Sequence, residues 1–448
     1  MPIPKHIVAI FGGAVAGAEA ARQLTERGIP VVVFDQNVLP YGKIEDGLPK
    51  WHAKLRDKEE KRINEKLDHP LISFVPKTRL GKTLDFKDVV ENWGFSAVLL
   101  AIGSWKDRPL PIEGIDAYVN KGLYYQNPFI YWYNHFHEPG YAGPQMETPD
   151  GAIIVGGGLA SLDVAKVLMF QNVEKALRAR GIEENLFTLD RSIAKVLSKH
   201  GLTLPDLGIE GCTVYYRRRI QDMPLYSPPT DSPKDLQKAE KVRTKILKNY
   251  QSKYLFKLAP CYMPVDKIVE DGRLTGLIMQ QTRIENRKVI RMPNALREVR
   301  APLVISSIGS IPEPIEGIPM RWQTYYVNED DLCRIEGFKN VFALGNTVTG
   351  QGNIIDSLKH GRQLTQAIAD RYFESFQEIL REKEGGVAEN VDGIAQYIAT
   401  LPALTDQNYQ FIQQKVELLQ AKAGYGGNFR EWIKEHLPMR LEELVNGH

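Results

Sequence analysis

The chain opens with a short apolar run, His6 to Phe11, followed by Gly12-Gly13-Ala14-Val15-Ala16-Gly17. Helical spacing then covers Ala18 to Arg27, Gly28 stops it, and a second apolar run, Val31 to Phe34, ends on Asp35. Uninterrupted apolar runs of this length suit strands of a parallel sheet buried on both faces. The same order of strand, glycine turn, helix and strand returns once. Ala152 to Val155 leads into Gly156-Gly157-Gly158-Leu159-Ala160-Ser161, then a helix over Leu162 to Phe170. The next strand, Thr213 to Tyr216, ends in Arg217-Arg218-Arg219. The stretch from about 171 to 210 is longer than a simple crossover needs and reads as an inserted helical excursion.

Further apolar strands are expected at Val98 to Ile102, at 301–309 and at 340–345, each closing on a glycine: Gly103, Gly309 and Gly345. A helix is expected over 353–382. The remainder reads as mostly helical, with breaks near Gly385-Gly386, Pro402 and Gly424 to Gly427. Apolar residues recur in it at helical spacing: Phe411, Ile412, Val416, Leu418, Leu419, then Phe429, Trp432, Ile433, Leu437 and Leu441. An amphipathic layer of this kind must bury its stripe on its own chain or on a partner. The fold class that follows is α/β, with two Rossmann-like three-layer nucleotide-binding domains. The first is discontinuous, over 1–115 and 325–380, the second is inserted over 116–324, and 381–448 form a helical C-terminal extension.

Composition adds exclusions. The 448 residues are 43% hydrophobic and 25% charged with a net charge of +2, so bulk electrostatics point to neither nucleic acid nor a membrane surface. The first apolar run is too short for a signal peptide, no run is long enough to span a bilayer, and a cytoplasmic location is the expectation. Cys212, Cys261 and Cys333 are scattered. They make no adjacent dithiol and fall short of the four thiolates of an iron–sulfur cluster, so an organic cofactor must carry any electrons. No metal site is expected.

A glycine turn between strand and helix lets backbone N–H groups meet a pyrophosphate at the helix N-terminus. The first turn offers Gly12, Ala14, Ala16 and Gly17, and its following strand ends on Asp35, with Gln36 beside it. An acid there accepts hydrogen bonds from a ribose diol, or else is an ordinary solvated carboxylate. The second turn offers Gly156, Gly158, Leu159 and Ala160, and its strand ends on Arg217 and Arg218. Guanidinium forks suit the 2′-phosphate of NADP rather than the bare ribose of NAD. The two turns thus read as FAD first and NADP(H) second.

Several longer motifs carry a resemblance. They are Pro40-Tyr41-Gly42-Lys43-Ile44-Glu45-Asp46-Gly47-Leu48 with His52 following, Trp132-Tyr133-Asn134, Gly158-Leu159-Ala160-Ser161-Leu162-Asp163-Val164-Ala165, Tyr216-Arg217-Arg218 with Met223-Pro224, and Gly345-Asn346 with Gly350-Gln351-Gly352-Asn353-Ile354. In this order, over about residues 5–375, the chain resembles the adrenodoxin reductase and ferredoxin–NADP reductase group and shares features with the glutamate synthase small subunit. The resemblance implies that Gly42, Lys43, Ile44 and Leu48 wrap a flavin, and that Gly103, Gly345, Asn346, Gly352, Asn353 and Ile354 close its site. It implies a catalytic or partner-side role for His52, which could otherwise be a surface imidazole beside Trp51. Glu45-Asp46 stands where the group has Arg-Tyr, Lys50-Trp51 where it has Pro-Asp, and Asn346 where it has Trp or Asp.

The implied activity is an FAD-dependent NADPH oxidoreductase moving hydride to flavin N5 and electrons to a protein acceptor. The implied acceptor is a small acidic iron–sulfur carrier of ferredoxin type. The alternatives are an NADPH-oxidising subunit of a larger reductase or synthase, and a non-catalytic flavin-binding protein. A homodimer is compatible with all three. Lys241, Arg243, Lys245, Lys248, Lys253 and Lys257 lie in a stretch without an acid. They read as a steering face for an acidic carrier or as a plain solvated helix face.

Overall fold

The computed structural model describes residues 3–226, 228, 230, 232–349 and 384–446. The first module begins β1 (Val8–Phe11), α1 (Val15–Glu26), β2 (Val31–Phe34), α2 (Lys43–Asp46), α3 (Ala53–Leu67), β3 (Ile72–Val75), α4 (Phe86–Asn92) and β4 (Ala97–Leu100). The chain then leaves through β5 (Lys106–Asp107). The second module runs β6 (Leu123–Tyr125), α5 (Gln126–His135), β7 (Ile153–Gly156), α6 (Leu159–Arg178), α7 (Leu186–Arg191), α8 (Ile193–Lys199), β8 (Thr213–Tyr216) and α9 (Pro233–Tyr254). It continues with β9 (Lys257–Pro260), β10 (Tyr262–Glu270), β11 (Arg273–Glu285), β12 (Lys288–Arg300) and β13 (Val304–Ser307). The return passes β14 (Ser310–Ile311), β15 (Met320–Arg321), β16 (Thr324–Tyr325), β17 (Val327–Asn328), β18 (Arg334–Ile335), β19 (Val341–Ala343) and α10 (Asn346–Thr349). The tail holds α11 (384–399), α12 (Asp406–Ala423), α13 (Phe429–His436) and α14 (Leu441–Asn446).

Strands β1, β2, β4 and β19 are buried at every residue. Successive side chains of a strand point to opposite faces, and here each face has its own core. Val8, Ile10, Val31, Val33, Leu99 and Phe342 belong to one, while Ala9, Phe11, Val32, Phe34, Leu100 and Val341 belong to the other. The sheet order is β17-β18-β19-β4-β1-β2-β3, parallel from β19 to β3 and antiparallel through β17 and β18. Its centre is therefore completed by β19, after the whole second module has been built.

The second sheet, β6-β13-β7-β8-β9, is all parallel. Helices α5, α6 and α8 cover one face; Leu274, Leu277 and Met279 of an antiparallel sheet, β10-β11-β12, pack on the other. That antiparallel sheet was not expected from the sequence, because its outer strand β12 buries no residue fully and carries no apolar alternation. The excursion over 171–210 is helical, through the last turns of α6, then α7 and α8. The outgoing and returning strands pair as Ser310↔Asp107 and Ile311↔Lys106. The crossings thus lie before the boundaries expected at 115/116 and 324/325. Leu110, Ile112 and Ile115 already pack on the second sheet, and Ile318 already packs on the first.

The tail folds onto the chain's own first module from both sides. Val387, Val391, Ile394 and Ile398 of α11, with Phe429, Trp432 and Ile433 of α13, complete one core, and Ile412 and Val416 of α12 complete the other. Arg27 pairs with Asp392 at 2.7 Å, and Glu384 bridges Arg62 at 2.6 Å and Lys66 at 2.8 Å. Two of the expected stripe residues are not in it: Leu418 and Leu437 are 66% and 44% exposed. The break expected at Gly385-Gly386 is instead helix from 384 onward. The helix expected over 353–382 lies outside the described residues. No helix among the described residues is long and apolar enough to cross a membrane. The three cysteines are free.

Trp432 is the test of this docking. It is buried, its indole N–H donates to the Val38 carbonyl at 2.8 Å, and Tyr425 meets its ring edge-on. Trp432→Ala should cost about 3–5 kcal/mol and expose apolar surface, read as a lower thermal midpoint with increased binding of a hydrophobic dye. A midpoint unchanged from the parent protein would mean that the tail does not rest on this core.

Candidate functional site

The first glycine turn is forced by packing. Gly12 sits at φ 98°, and a Cβ there would lie 2.5 Å from the Ala101 carbonyl oxygen on the adjoining strand end. Conformation and contact both bar a side chain. A Cβ on Gly17 would lie 1.7 Å from the Gly12 carbonyl oxygen, so α1 is seated directly on the turn. No side chain caps the N-terminus of α1, which leaves its first N–H groups for an anionic ligand.

Asp35 belongs to this turn. Its Oδ2 accepts the Gly13 N–H at 2.7 Å and its Oδ1 accepts the Asn37 N–H at 2.8 Å. Burial pushes its pKa up to about 6, against the pull of those two donors. Each oxygen keeps a lone pair for a further donor. Gln36 follows in the same bend, partly buried.

The other segments read for a flavin converge here. A Cβ on Gly42 would lie 3.1 Å from Ala14 Cβ, and one on Gly345 would lie 2.8 Å from Ala16 Cβ. The Gly103 N–H donates to Thr347 Oγ1 at 2.9 Å, and Ser104 Oγ donates to the Asn346 carbonyl at 2.7 Å. These close backbone approaches form a cradle that side chains would fill, and they fit a dinucleotide. Ile44 and Leu48 are buried at 4% and 5% exposure. Gly352, Asn353 and Ile354 lie outside the described residues.

The segment 42–52 is pinned by the second module. Asn134, the last residue of the Trp132-Tyr133-Asn134 element, donates to the Glu45 and Leu48 carbonyls at 3.1 and 2.9 Å and accepts the Lys50 N–H at 3.1 Å. Lys43 Nζ reaches Asn127 Oδ1 at 3.0 Å and Ser310 Oγ at 3.2 Å. The two acids that depart from the group pattern are used in this seam. Glu45 accepts from Arg440 Nη1 of the tail through both oxygens, at 2.6 and 2.8 Å, and Arg440 Nη2 reaches Glu60 at 2.7 Å. Asp46 meets His135 Nε2 at 3.2 Å while Glu138 meets its Nδ1 at 2.8 Å. Burial alone would lower the His135 pKa, but the two carboxylates raise it to about 9. Glu45, His135 and Glu138 lie close enough to hold a cation. Their donor atoms are already taken by Arg440 and by one another, so the arrangement reads as ion pairing.

His52 lies beside Trp51 and within electrostatic reach of Lys166 on α6 of the second module. The Trp51 indole N–H donates to its Nε2 at 2.9 Å, and Trp51 packs edge-on against Phe170 of α6. Burial, together with the positive Lys166, holds its pKa well below the usual histidine value, so the ring is neutral.

The second turn repeats the first. A Cβ on Gly156 would lie 2.3 Å from the Ser307 carbonyl oxygen, and one on Gly157 would lie 2.2 Å from the Tyr216 ring. Helix α6 starts after Gly158 without a side-chain cap; Leu159 is buried and Ala160 is partly so. The arginines diverge. Arg217 is exposed, Arg218 donates to the Arg287 carbonyl at 2.7 Å, and Arg219 is held by Asp222 at 2.9 Å. Of the basic stretch, Lys241, Lys245 and Lys248 form one exposed stripe on α9. Arg243 turns inward to the Tyr226 and Gln221 carbonyls at 2.6 and 3.0 Å, so it is no part of that face.

Sequence reading did not assign roles to Asn134, Ser104, Thr347 or Asn127. Asn134 was visible in its motif. The others act through contacts between distant segments, which leave no local pattern.

The His135 pairing has a pH signature. Its folded pKa, about 9, lies above the unfolded value of 6.5. Its stabilisation is fully present below pH 6.5 and lost as pH rises to about 9. His135→Gln should flatten the fall in thermal midpoint over that window. An identical pH profile in the variant would remove His135 from the seam's energetics.

Residues 6–202 match the family model described as pyridine nucleotide-disulphide oxidoreductase. The mitochondrial NADPH:adrenodoxin oxidoreductase of Arabidopsis thaliana is 24% identical over 356 residues, which cover 70% of each chain. The small chain of glutamate synthase [NADPH] from Bacillus subtilis is 28% identical over 173 residues, 37% of this chain and 33% of that protein. Among solved structures, Mycobacterium tuberculosis FprA in complex with NADPH superposes with a TM-score of 0.63 at 18% identity, covering 93% of this chain and 90% of that one. This last likeness is one of fold. The resemblance carried by the motifs extends to the fold and to the sequence, and the chain is similar to the adrenodoxin reductase and ferredoxin–NADP reductase group of pyridine nucleotide-dependent oxidoreductases.

Proposed function

We propose that the protein is an FAD-dependent NADPH oxidoreductase that delivers electrons to a small acidic iron–sulfur protein. The observation that carries this reading is the pair of matching glycine turns with unlike strand ends. Asp35 is hydrogen bonded to the first turn, whereas Arg217 and Arg218 follow a tyrosine packed on the second. An acid suits a ribose diol and a guanidinium suits a 2′-phosphate. The uncapped starts of α1 and α6 receive one pyrophosphate each.

When bound, the flavin and nicotinamide supply hydride transfer to flavin N5 and the onward release of electrons. The chain's own residues position and enclose. Asn134 and Lys43 hold segment 42–52 against the second module, so the two cofactor sites share one rigid seam. Neutral His52 stiffens that seam through Trp51 rather than carrying charge into it. The exposed Lys241, Lys245 and Lys248 stripe steers an acidic carrier. A second reading, a subunit of a larger synthase, draws on the Bacillus subtilis likeness. Against it, the tail's apolar stripe is already spent on the chain's own first module.

Freshly purified protein should release FAD, not FMN, on denaturation, and stopped-flow mixing should show faster flavin bleaching by NADPH than by NADH. Arg217→Ala should weaken NADPH about ten- to hundred-fold and leave NADH nearly unchanged. Equal weakening of both would make the arginine structural. Reversing all three stripe lysines to glutamate should slow reduction of an acidic ferredoxin at low salt without changing flavin reduction by NADPH. An unaltered ferredoxin rate would remove the stripe from acceptor binding.

A further inference from the structure

The arginine run at the end of β8 is stitched to the antiparallel sheet rather than standing alone. Arg218 Nη2 donates to the Arg287 carbonyl at 2.7 Å. Buried Thr282 donates through Oγ1 to the Arg217 carbonyl at 2.8 Å. The Cys261 N–H donates to the Arg218 carbonyl at 3.1 Å, and the Thr282 N–H donates to the Cys261 carbonyl at 2.8 Å. Cys261, between β9 and β10, and Thr282 of β11 thus hold the backbone of the run, and the tip of the long β11–β12 hairpin rests on its second guanidinium.

The tip has an unusual choice of residues. Asn286 and Arg287 sit at φ 47° and 62°, successive left-handed positions that close a two-residue hairpin. Glycine is the residue that takes the second of these without strain, yet the chain places an arginine there. Its neighbours leave positive charge uncompensated. Arg219 is committed to Asp222, and Arg283 pairs with Glu285 at 3.0 Å. The Arg217 and Arg287 guanidiniums are both exposed and have no acid partner among the described residues. The Arg287 backbone thus sits within hydrogen-bond reach of the Arg218 guanidinium, at a strand end whose preceding residue, Arg217, is exposed.

We propose that Arg287 is a third arginine of the 2′-phosphate site, delivered from the hairpin tip, and that it sets the preference for NADPH over NADH together with Arg217 and Arg218. This rests on reading the second module as the NADP(H) site. Arg218 both contacts the phosphate and anchors the hairpin. The rest of the antiparallel sheet then has a role in nucleotide selection, as the support that carries Arg287 to the ligand.

The test uses calorimetric titration of the flavin-loaded protein with adenosine 2′,5′-bisphosphate and with adenosine 5′-monophosphate. Arg287→Gly removes the guanidinium while suiting the left-handed turn, and Arg287→Lys keeps the charge but not the fork. Arg287→Gly should weaken the bisphosphate about tenfold, the scale of one charge-assisted bond, and leave the monophosphate unchanged. Arg287→Lys should recover part of the loss. Unchanged bisphosphate binding in Arg287→Gly, with clear weakening in Arg217→Ala, would overturn the role of Arg287 and leave the NADP(H) reading standing. Equal weakening of both nucleotides in Arg287→Gly would make the hairpin a mere support and also overturn the proposal. A parent protein that binds the two nucleotides alike would overturn the NADP(H) reading, and this inference with it.

Discussion

Hydrogen bonds between β4 and β19 close the first sheet, and they join strands from opposite sides of the entire inserted module. Until β19 arrives, β4 is an edge with a bare apolar flank, and neither core of the first module is complete. Loop-closure entropy grows only slowly with the length of chain between two contacts, so a folded module can be inserted here at modest cost. The short β5–β14 pair brings the outgoing and returning strands together, which holds the ends of that insertion near each other. The glycine cradle depends on this closure, because Gly345 and Thr347 follow β19 and meet Ala16 and Gly103, which lie before the insertion.

The seam between the modules is polar, and its polarity is matched. Asn134 satisfies three backbone groups of a segment that has no sheet to pair with. Orphaned polar groups in a buried seam would each cost about 1–3 kcal/mol, so one amide side chain does a good deal of local work. Glu45 and Asp46 would be two carboxylates set side by side with little solvent around them. Arg440 answers the first and His135 the second, and the positive charges come from the tail and from α5. The tail is thereby more than a cover for apolar surface, since it supplies the counter-charge for a residue of segment 42–52.

Two sites built on one geometry differ in what stands at the next strand end. At the first, a buried carboxylate is tied to the turn and has its acidity shifted by burial. At the second, three arginines follow the strand, and their neighbours leave part of that charge unanswered. The backbone N–H groups of a helix N-terminus attract any phosphate, so the chemical difference between the two turns lies in these side chains. The two strand ends thus differ in the sign of their charge while the close glycine packing of the two turns is alike.

Strands such as Val31–Phe34 and both glycine turns were legible in the chain itself, because an apolar run and a glycine between strand and helix each have one efficient use. The unlike strand ends were legible too, since Asp35 and Arg217 are local facts. The antiparallel sheet was not, for its strands mix exposed and buried positions and gain their regularity only by pairing with each other and by packing Leu274, Leu277 and Met279 on the second module. Nor could the tail's partner be read, because an amphipathic stripe states that it will be buried without stating where; Leu418 matched the spacing and still faces outward. His52 followed a local motif, but its surroundings come from α6 of a distant segment, which decide its charge. Local sequence determined the strands, turns and the sign of each strand end, since those depend on near neighbours along the chain. Tertiary structure alone decided which guanidinium is left without an acid and which acid is neutralised, because electrostatic partners in a folded chain are chosen by distance in space.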